Sequence, residues 1–235
     1  MRKITQIRVW VNFREESSMT VTEKKVLRIY TDGACSGNQN DENIGGWGAI
    51  LEYGQHQKEL CGGEVNTTNN RMEMTGLLQA LRAIKKPGQT IEVFCDSSYL
   101  MDCFRQKWYE RWVKNGWMTS SKKPVENREL WEALLPFLDE HDISFYRVKG
   151  HVNVDWHMGL TKKKSETDIS SNDDPQSAFS EPADEIGVPD DYLWKTYRKF
   201  CEWNGNKFLF EQFVYITRMN NHADRLANEG MDQFR

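Results

Sequence analysis

No uninterrupted apolar run in the sequence approaches the roughly 18 to 20 residues that a membrane span requires. The basic start at Arg2 and Lys3 also lacks the apolar segment that follows it in a secretory signal. The five cysteines are odd in number and include no C-x-x-C pair, which argues against a disulfide framework and against a zinc knuckle. We therefore expect a soluble cytoplasmic protein with reduced thiols that binds no membrane.

An excess of positive charge is also lacking, since the formal net charge is −4. That total hides an uneven distribution of charges along the chain. Between residues 165 and 191 nine acidic residues occur without any Lys or Arg, and the rest of the chain has 26 acidic against 31 basic residues. Residues 105–128 contain seven basic residues and two acidic ones. A nucleic-acid partner is therefore compatible with the sequence, because binding depends on local patches.

The pattern of apolar residues predicts one principal α/β domain, for which 235 residues are sufficient. Alternating apolar residues predict a strand near residues 7–13. After it, the predicted order is β-β-β-α-β-α-α-β. The predicted strands are residues 26–32, 46–53, 62–65, 90–95 and 143–148, and the predicted helices are residues 71–83, 99–117 and 127–138.

The composition changes after residue 160. Residues 161–189 are rich in Ser and Asp and poor in aromatic residues, which is typical of a disordered linker. Aromatic residues at helical spacing then predict a helical hairpin within residues 190–218, formed by residues 192–203 and 208–215. A further helix is predicted to begin near Ala223.

Four acidic residues have ordinary structural roles when each is taken alone. Asp32 precedes a glycine and suits a turn, and Asp96 suits the cap of the helix after it. Glu73 suits a solvated helix position, and Asp224 suits the positive end of a helix dipole. However, Asp32 and Asp96 follow neighbouring predicted strands, where α/β sheets place their sites. Converging carboxylates need cations, and an all-oxygen ligand set selects Mg²⁺ or Mn²⁺ over zinc.

Five sequence motifs in order resemble those of type 1 ribonucleases H. They are YTDGACSGN at residues 30–38, TTNNRMEM at 67–74, CDSSY at 95–99, VKGH at 148–151 and ADRLAN at 223–228. The resemblance covers residues 26–160 and 221–232. It implies an α/β fold with a mixed five-stranded sheet, in which three antiparallel strands are followed by parallel strands, flanked by helices and here carrying the inserted hairpin. Residues 26–235 would then be the catalytic domain, and residues 1–25 are an extension without an assigned function.

The resemblance also implies an activity, which is hydrolysis of the RNA strand of RNA–DNA hybrids to 5′-phosphate and 3′-hydroxyl ends. Asp32, Glu73, Asp96 and Asp224 would bind two Mg²⁺ ions about 4 Å apart, with Mn²⁺ as a possible substitute. His151, on a loop after the last strand, would assist proton transfer and product departure. The expected partner is the hybrid duplex, and the expected state is a monomer.

The choice of the fourth carboxylate leaves an alternative open. The family places this residue about ten positions after the histidine, whereas Asp224 lies 73 positions after His151. Asp155 is much nearer in sequence. Only Asp224, however, begins an A-D-R-L-A-N segment.

The residues implied in substrate binding form two sets. The first set, near the first two carboxylates, would read ribose 2′-hydroxyls and bases through the minor groove and seat a DNA phosphate at Thr68. It comprises Gly33, Cys35, Asn38, Thr68, Asn69, Asn70 and Ser98. The second set belongs to a basic protrusion that would grip the DNA strand between Trp side chains. It comprises Trp108, Arg111, Trp112, Lys114, Trp117, Lys122 and Lys123.

Three alternatives remain at this stage. An amphipathic helix with a solvated basic face would explain the charges of residues 107–123, although not so many exposed Trp side chains. A catalytically silent binding module would keep the fold without assembling the metals, and a transposase or exonuclease would share the fold. The insertion is either a docked decoration or, through its acidic linker, a competitor of nucleic acid. Unchanged hybrid affinity and salt dependence after deletion of residues 165–189 would exclude such competition.

Overall fold

The computed structural model describes residues 11–12, 26–36, 43–160 and 188–234. Its strands are β1 (Val11–Asn12), β2 (Leu27–Ser36), β3 (Ile44–Tyr53), β4 (His56–Val65), β5 (Thr90–Cys95) and β6 (Asp142–Arg147). Its helices are α1 (Asn69–Arg82), α2 (Ser98–Arg105), α3 (Trp108–Lys114), α4 (Arg128–Glu140), α5 (Val154–His157), α6 (Asp191–Asn204) and α7 (Phe210–Asp232). Almost all of the predicted linker and of the first 25 residues lies outside the described residues, as does Asn38.

The strands form one mixed sheet in the order β1-β4-β3-β2-β5-β6. Strands β2, β3 and β4 form an antiparallel meander, and β5 and β6 continue the sheet in parallel with β2. The expected five-stranded arrangement is therefore confirmed. The two residues of β1 add a short antiparallel strand at the edge of β4, where Val11 pairs with Lys58.

Two apolar cores enclose the sheet, because the central strands bury side chains on both faces. On one face, α1, α2 and α4 cover side chains such as Ile29 and Val93. On the other face, α6 and α7 cover Tyr30, Phe94 and Tyr146. In the described ranges, no helix is both long and apolar enough to cross a membrane. None of the five cysteines forms a disulfide bond in the described residues.

The single helix expected over residues 99–117 is two helices in the structure. Helix α2 ends at Arg105, and α3 begins after Lys107, whose backbone has a φ of 53°. A left-handed residue cannot continue an α-helix, so the chain changes direction there. Nothing in the sequence marks this break, because residues 105–108 contain neither Gly nor Pro.

The insertion also differs from expectation. The predicted hairpin is present, but its second helix and the expected terminal helix are one continuous helix, α7, of 23 residues. Two glycines of β3 let this helix approach the sheet closely. A Cβ atom at Gly46 would lie 2.0 Å from the carbonyl oxygen of Ala227, and one at Gly48 would lie 2.2 Å from that of Ala223. This packing fixes the height of Asp224 above the sheet.

Candidate active site

Asp32 lies within β2 and is buried, with 5% of its surface exposed. The backbone N–H of Gly33 donates a hydrogen bond of 2.7 Å to Asp32 Oδ1 and fixes the direction of the carboxylate. A Cβ atom at Gly33 would lie only 2.4 Å from the backbone nitrogen of Glu73. The glycine therefore allows α1 to pack directly against β2 and brings Glu73 next to Asp32.

Glu73 and Asp96 reach the same place from two other elements. Helix α1 begins after Thr68, whose hydroxyl accepts a hydrogen bond from the Arg71 N–H and caps the helix. Glu73 is buried, and its Oε2 has no hydrogen-bond partner among the described residues. Asp96 lies between the end of β5 and Ser97, the N-cap of α2. The position of Asp96 at the carboxyl end of β5 agrees with the sequence prediction.

Asp224 and His151 complete the group. Asp224 projects from α7 with 29% of its side chain exposed, and its Oδ2 lies 3.6 Å from Nδ1 of His151. His151 has a φ of 56°, and 77% of its side chain is exposed. Gly150 before it passes so close to Asp96 that a Cβ atom there would lie 2.0 Å from Asp96 Oδ2. The histidine loop therefore folds over the carboxylates.

The pKa values of three of the carboxyl groups, those of Asp32, Glu73 and Asp96, are raised. Burial raises the pKa of Asp32 to about 8, with a further contribution from repulsion by Asp96, while the Gly33 N–H opposes the rise. Burial also raises the pKa of Glu73 to about 7, against a hydrogen bond from Ser97. The pKa of Asp96 is raised by burial and partly restored by the positive charge of His151. The site is thus an electrostatically strained group of acids.

Such a group is suited to divalent cations, because a cation would replace repulsion with attraction. The ligand atoms are carboxylate oxygens, which Mg²⁺ and Mn²⁺ prefer. The unpartnered Oε2 of Glu73 is available as one of them. Within the described residues, no three His, Cys, Asp or Glu side chains are already grouped closely enough to hold a metal ion. The residues therefore fit the expected cofactor.

The rival carboxylate Asp155 lines the same depression as His151 and Asp224, but it pairs with Arg218. Its Oδ1 accepts hydrogen bonds from Arg218 at 2.7 and 3.1 Å, and half of its side chain is exposed. Asn221 of α7 donates a hydrogen bond of 2.8 Å to the carbonyl oxygen of Val152. These contacts attach the histidine loop to α7. Asp224, and not Asp155, is the acidic residue that α7 places beside His151.

Some of the residues predicted to contact the substrate lie close to the carboxylates or along one groove. Thr68, Asn69 and Ser98 are exposed near the carboxylates, and Gly33 is buried with Asp32. Cys35 is partly buried, with its Sγ 3.7 Å from the carbonyl oxygen of Thr67. A groove of about 770 Å³ joins the two predicted sets, and its lining includes Asn70, Trp108, Arg111, Trp112 and Lys123. Lys114 lines a different depression, on the other side of α3, and Lys122 is exposed.

The expectation of several exposed Trp side chains in the protrusion is wrong. Trp117 is only 9% exposed and belongs to the core, while Trp108 and Trp112 are partly buried against it. Trp112 makes an edge-to-face contact with the fully buried Trp131, with ring centroids 5.4 Å apart. These rings therefore anchor α3, and the edges of Trp108 and Trp112 are the parts that face the groove.

Sequence reasoning treated Ser97 only as a helix cap. Its hydroxyl does accept from the Leu100 N–H at 3.3 Å, and it also hydrogen-bonds to Glu73. The signal for this second role was weak, because only the fold places α1 and α2 side by side. Ser97 thus orients one of the four carboxylates.

Comparisons of sequence support the resemblance over the first two thirds of the chain. The sequence model of the family described as RNase H matches residues 24–163. The ribonuclease H of Syntrophomonas wolfei is 47% identical over 133 residues, which cover 57% of this chain and 89% of the relative. That of Chlorobaculum parvum is 50% identical over 128 residues, covering 54% and 85%. Asp224 lies outside the family match, so its assignment depends on its position in the fold.

Comparison of structures extends over the insertion. The solution structure of the PFV RNase H domain is 19% identical, covers 90% of this chain and 97% of that chain, and has a TM-score of 0.50. The native Prototype Foamy Virus protease-reverse transcriptase gives a TM-score of 0.51 at 19% identity, covering 94% of this chain and 22% of that one. These likenesses show a shared fold. The family match over more than half of the sequence shows that the chain belongs to the ribonuclease H family.

Proposed function

We propose that this protein hydrolyses the RNA strand of RNA–DNA hybrids at the site formed by Asp32, Glu73, Asp96 and Asp224, leaving 5′-phosphate and 3′-hydroxyl ends. The observation that carries the proposal is the convergence of four carboxyl groups from β2, α1, the end of β5 and α7 within a ribonuclease H fold. The raised pKa values of Asp32 and Glu73 support it, because they are expected of acids arranged to meet cations.

The proposed cofactor is a pair of Mg²⁺ ions, with Mn²⁺ as a substitute, held by the same four residues. When bound, two such cations activate a water molecule and stabilise the charge that develops on the leaving 3′ oxygen. The protein orients two of these carboxylates before any cation binds. The Gly33 N–H holds the Asp32 carboxylate in one orientation, and the Ser97 hydroxyl does the same for Glu73. Both acids release their protons as the cations bind.

His151 is proposed to move a proton near the departing product. Its ring is largely exposed, and its Nδ1 stands 3.6 Å from Asp224 Oδ2. A protonated imidazole at this position would donate to an oxygen of the leaving strand. The exposed position leaves the ring free to reach the substrate and to withdraw.

The substrate roles stay proposals derived from the family. Gly33, Cys35, Asn38, Asn69, Asn70 and Ser98 would contact the RNA strand and its minor groove, and Thr68 a DNA phosphate. The groove beside α3 supports a path for the DNA strand between Asn70 and the protrusion. Arg111, Lys122 and Lys123 would pair with its phosphates there, along with Lys114. Trp108 and Trp112 would meet its sugars with their exposed edges.

Two broader properties are proposed with the activity. The five cysteines, none of which forms a disulfide bond in the structure, support a reducing compartment, for which the cytoplasm is the proposed location. A monomer is the proposed state, because the four carboxylates and His151 all come from one chain.

One experiment tests the activity against its alternatives. A labelled hybrid, a duplex RNA and a duplex DNA are incubated with the protein, with and without Mg²⁺. Metal-dependent cutting of only the RNA strand of the hybrid is expected. Binding without cutting would instead identify a silent binding module, and cutting of duplex DNA would identify a relative with another substrate.

The matched variants are Asp32→Asn and Asp139→Asn. Asparagine keeps the size of Asp32 and an oxygen for the Gly33 N–H, but removes a charged metal ligand. Cleavage is expected to fall at least a hundredfold in Asp32→Asn and to be unchanged in Asp139→Asn, which alters an exposed residue of α4. Retained cleavage in the first variant would contradict the role assigned to Asp32.

A further inference from the structure

The insertion covers the open edge of β6. There the side-chain amide of one asparagine makes the two backbone hydrogen bonds that a neighbouring strand would make. Asn204, at the end of α6, accepts a hydrogen bond of 2.9 Å from the Arg147 N–H and donates one of 2.8 Å to the Arg147 carbonyl oxygen. Asn204 is buried, at 8% exposure. The two bonds satisfy the edge of the sheet at this residue and hold the backbone of Arg147 in place.

Three cationic side chains surround Trp203, one residue before Asn204. The guanidinium carbon of Arg147 lies 4.3 Å from the centre of the Trp203 rings, and Lys199 Nζ lies 5.8 Å from it. The guanidinium of Arg105, at the end of α2, donates to the Trp203 carbonyl oxygen. Cations from β6 and α6 thus lie over the indole of Trp203, and a cation from α2 contacts the backbone of the same residue.

The charges of this cluster are poorly balanced. Lys199 pairs with Glu202 at 3.2 Å, whereas neither Arg105 nor Arg147 forms an ion pair with a carboxylate in the described part of the chain. The Nε of Arg147 is buried without a hydrogen-bond partner among those residues. Three cations against the one paired carboxylate leave a local charge of +2, with Asp96 of the neighbouring carboxylate site as the other negative group that acts on Arg147. Guanidinium groups in this state have unused donors that match the oxygens of a phosphate.

The cluster adjoins the carboxylate site. Arg147 stands opposite Cys95 in the parallel pairing of β5 and β6, and Cys95 directly precedes Asp96. Two residues beyond Arg147, Lys149 Nζ donates to the hydroxyl oxygen of Tyr192 at 3.0 Å, and His151 follows. A row of cations therefore leads from the histidine loop to the insertion.

We propose that Arg105, Arg147 and Lys199, gathered around Trp203, bind backbone phosphates of the nucleic acid that enters the active site. The insertion would thus lengthen the binding surface on the side of the sheet that ends at β6. This inference rests on the proposed function, because the ligand is the hybrid duplex. It concerns residues outside the two sets of contacts that the family resemblance implies.

A purely structural role is the rival explanation. Arg105 complements the negative end of α6, and the contacts of Arg147 and Lys199 with Trp203 also hold α6 against the sheet. That role does not require the cations to be free of carboxylate partners. It predicts changes in stability, whereas phosphate binding predicts changes in affinity that depend on salt.

The test uses binding of a labelled hybrid of about 20 base pairs to protein carrying Asp32→Asn, measured by fluorescence anisotropy in Mg²⁺ at several salt concentrations. Arg105→Gln, Arg147→Gln and Lys199→Gln are added singly to this background. Each is expected to raise Kd about 3- to 10-fold at 0.1 M salt and to reduce the slope of log K against log salt by about 1. Lys86→Gln, at the opposite end of β5, is the matched control and is expected to change neither quantity.

Charge-preserving variants separate the two roles. Arg105→Lys and Arg147→Lys are expected to restore most of the salt slope, even where they lower the melting temperature by weakening the contacts with Trp203. In protein with Asp32 intact, the Gln variants are expected to raise KM several-fold with kcat unchanged. Slopes and KM values equal to those of Lys86→Gln would overturn the inference.

The outcomes for the two proposals are distinguishable. A protein that cuts hybrid RNA but shows the same salt slope in all these variants refutes only the phosphate contacts. A protein that neither binds nor cuts the hybrid refutes both. Reduced slopes in a protein that binds the hybrid without cutting it would support the contacts and refute the catalytic proposal.

Discussion

Removing the charge of Asp32 is expected to stabilise the metal-free protein at alkaline pH. In the folded protein the pKa of Asp32 is about 8, raised from 3.8 mainly by burial and by the charge of Asp96. A group with a raised folded pKa contributes stability below its unfolded pKa and loses that contribution as the pH rises toward its folded pKa. The free energy of unfolding of the wild type should therefore fall between pH 4 and pH 8 as Asp32 ionises. Asp32→Asn lacks this ionisation and should not show that loss.

The magnitude follows from the same pKa. One pH unit corresponds to about 1.4 kcal/mol, so between pH 6 and pH 8 the ionisation of Asp32 costs the wild type at most about 3 kcal/mol. Relaxation of the neighbouring carboxylates reduces this to about 2 kcal/mol. For a chain of this length, that corresponds to a difference of about 4 to 8 °C in melting temperature. Because only 5% of the surface of Asp32 is exposed, solvent screens its charge only weakly.

The assay is thermal unfolding in a chelator at pH 6, 7, 8 and 9, followed by circular dichroism. The melting temperature of Asp32→Asn relative to the wild type should rise with pH, while that of the control Asp139→Asn should stay constant. Adding Mg²⁺ at pH 8 should raise the melting temperature of the wild type more than that of Asp32→Asn. A difference that is flat in pH would refute the assigned burial and repulsion of Asp32.

Three further predictions concern the geometry around this residue. Asp224→Asn is expected to lower hybrid cleavage at least a hundredfold in a single-turnover assay, whereas Asp155→Asn should keep the rate within about threefold of the wild type. The reverse order would contradict the choice of Asp224 as the fourth carboxylate. Gly48→Ala places a Cβ atom 2.2 Å from the Ala223 carbonyl oxygen and should destabilise the protein by about 2 kcal/mol in urea unfolding while lowering cleavage. Gly150→Ala pushes on Asp96 Oδ2 and should lower kcat at least tenfold with little change in melting temperature, so an unchanged kcat would show that the loop approaches less closely than described.

Three of the four carboxylates were predictable because each belongs to a contiguous motif on an element that the local pattern also predicts. Strand β5 was predicted with the bounds that the structure shows, so the position of Asp96 followed directly. The position of Asp224 was different, because its motif lies after an insertion. Only the packing of α7 on Gly46 and Gly48 places it, and this packing depends on contacts between residues far apart in sequence.

The features that sequence reasoning missed are all tertiary. Helix α7 was predicted as two helices, one at residues 208–215 and one beginning near Ala223. In the structure the side chain of Asn221, between them, donates a hydrogen bond to the Val152 carbonyl oxygen, and the helix is continuous. The burial of Trp117 was missed for a related reason, since a family motif fixes which residue is present and not how deeply a neighbouring helix covers it.

The continuity of α7 has a consequence for the protein during its synthesis. Asp32 and Asp224 are 192 positions apart, and the helix that carries Asp224 is the last of the described elements to leave a ribosome. The sheet with Asp32, Glu73 and Asp96 is complete long before that moment. A nascent chain therefore holds three of the four proposed ligands while one face of its sheet is still uncovered, and we expect it to cut no hybrid until α7 has been translated.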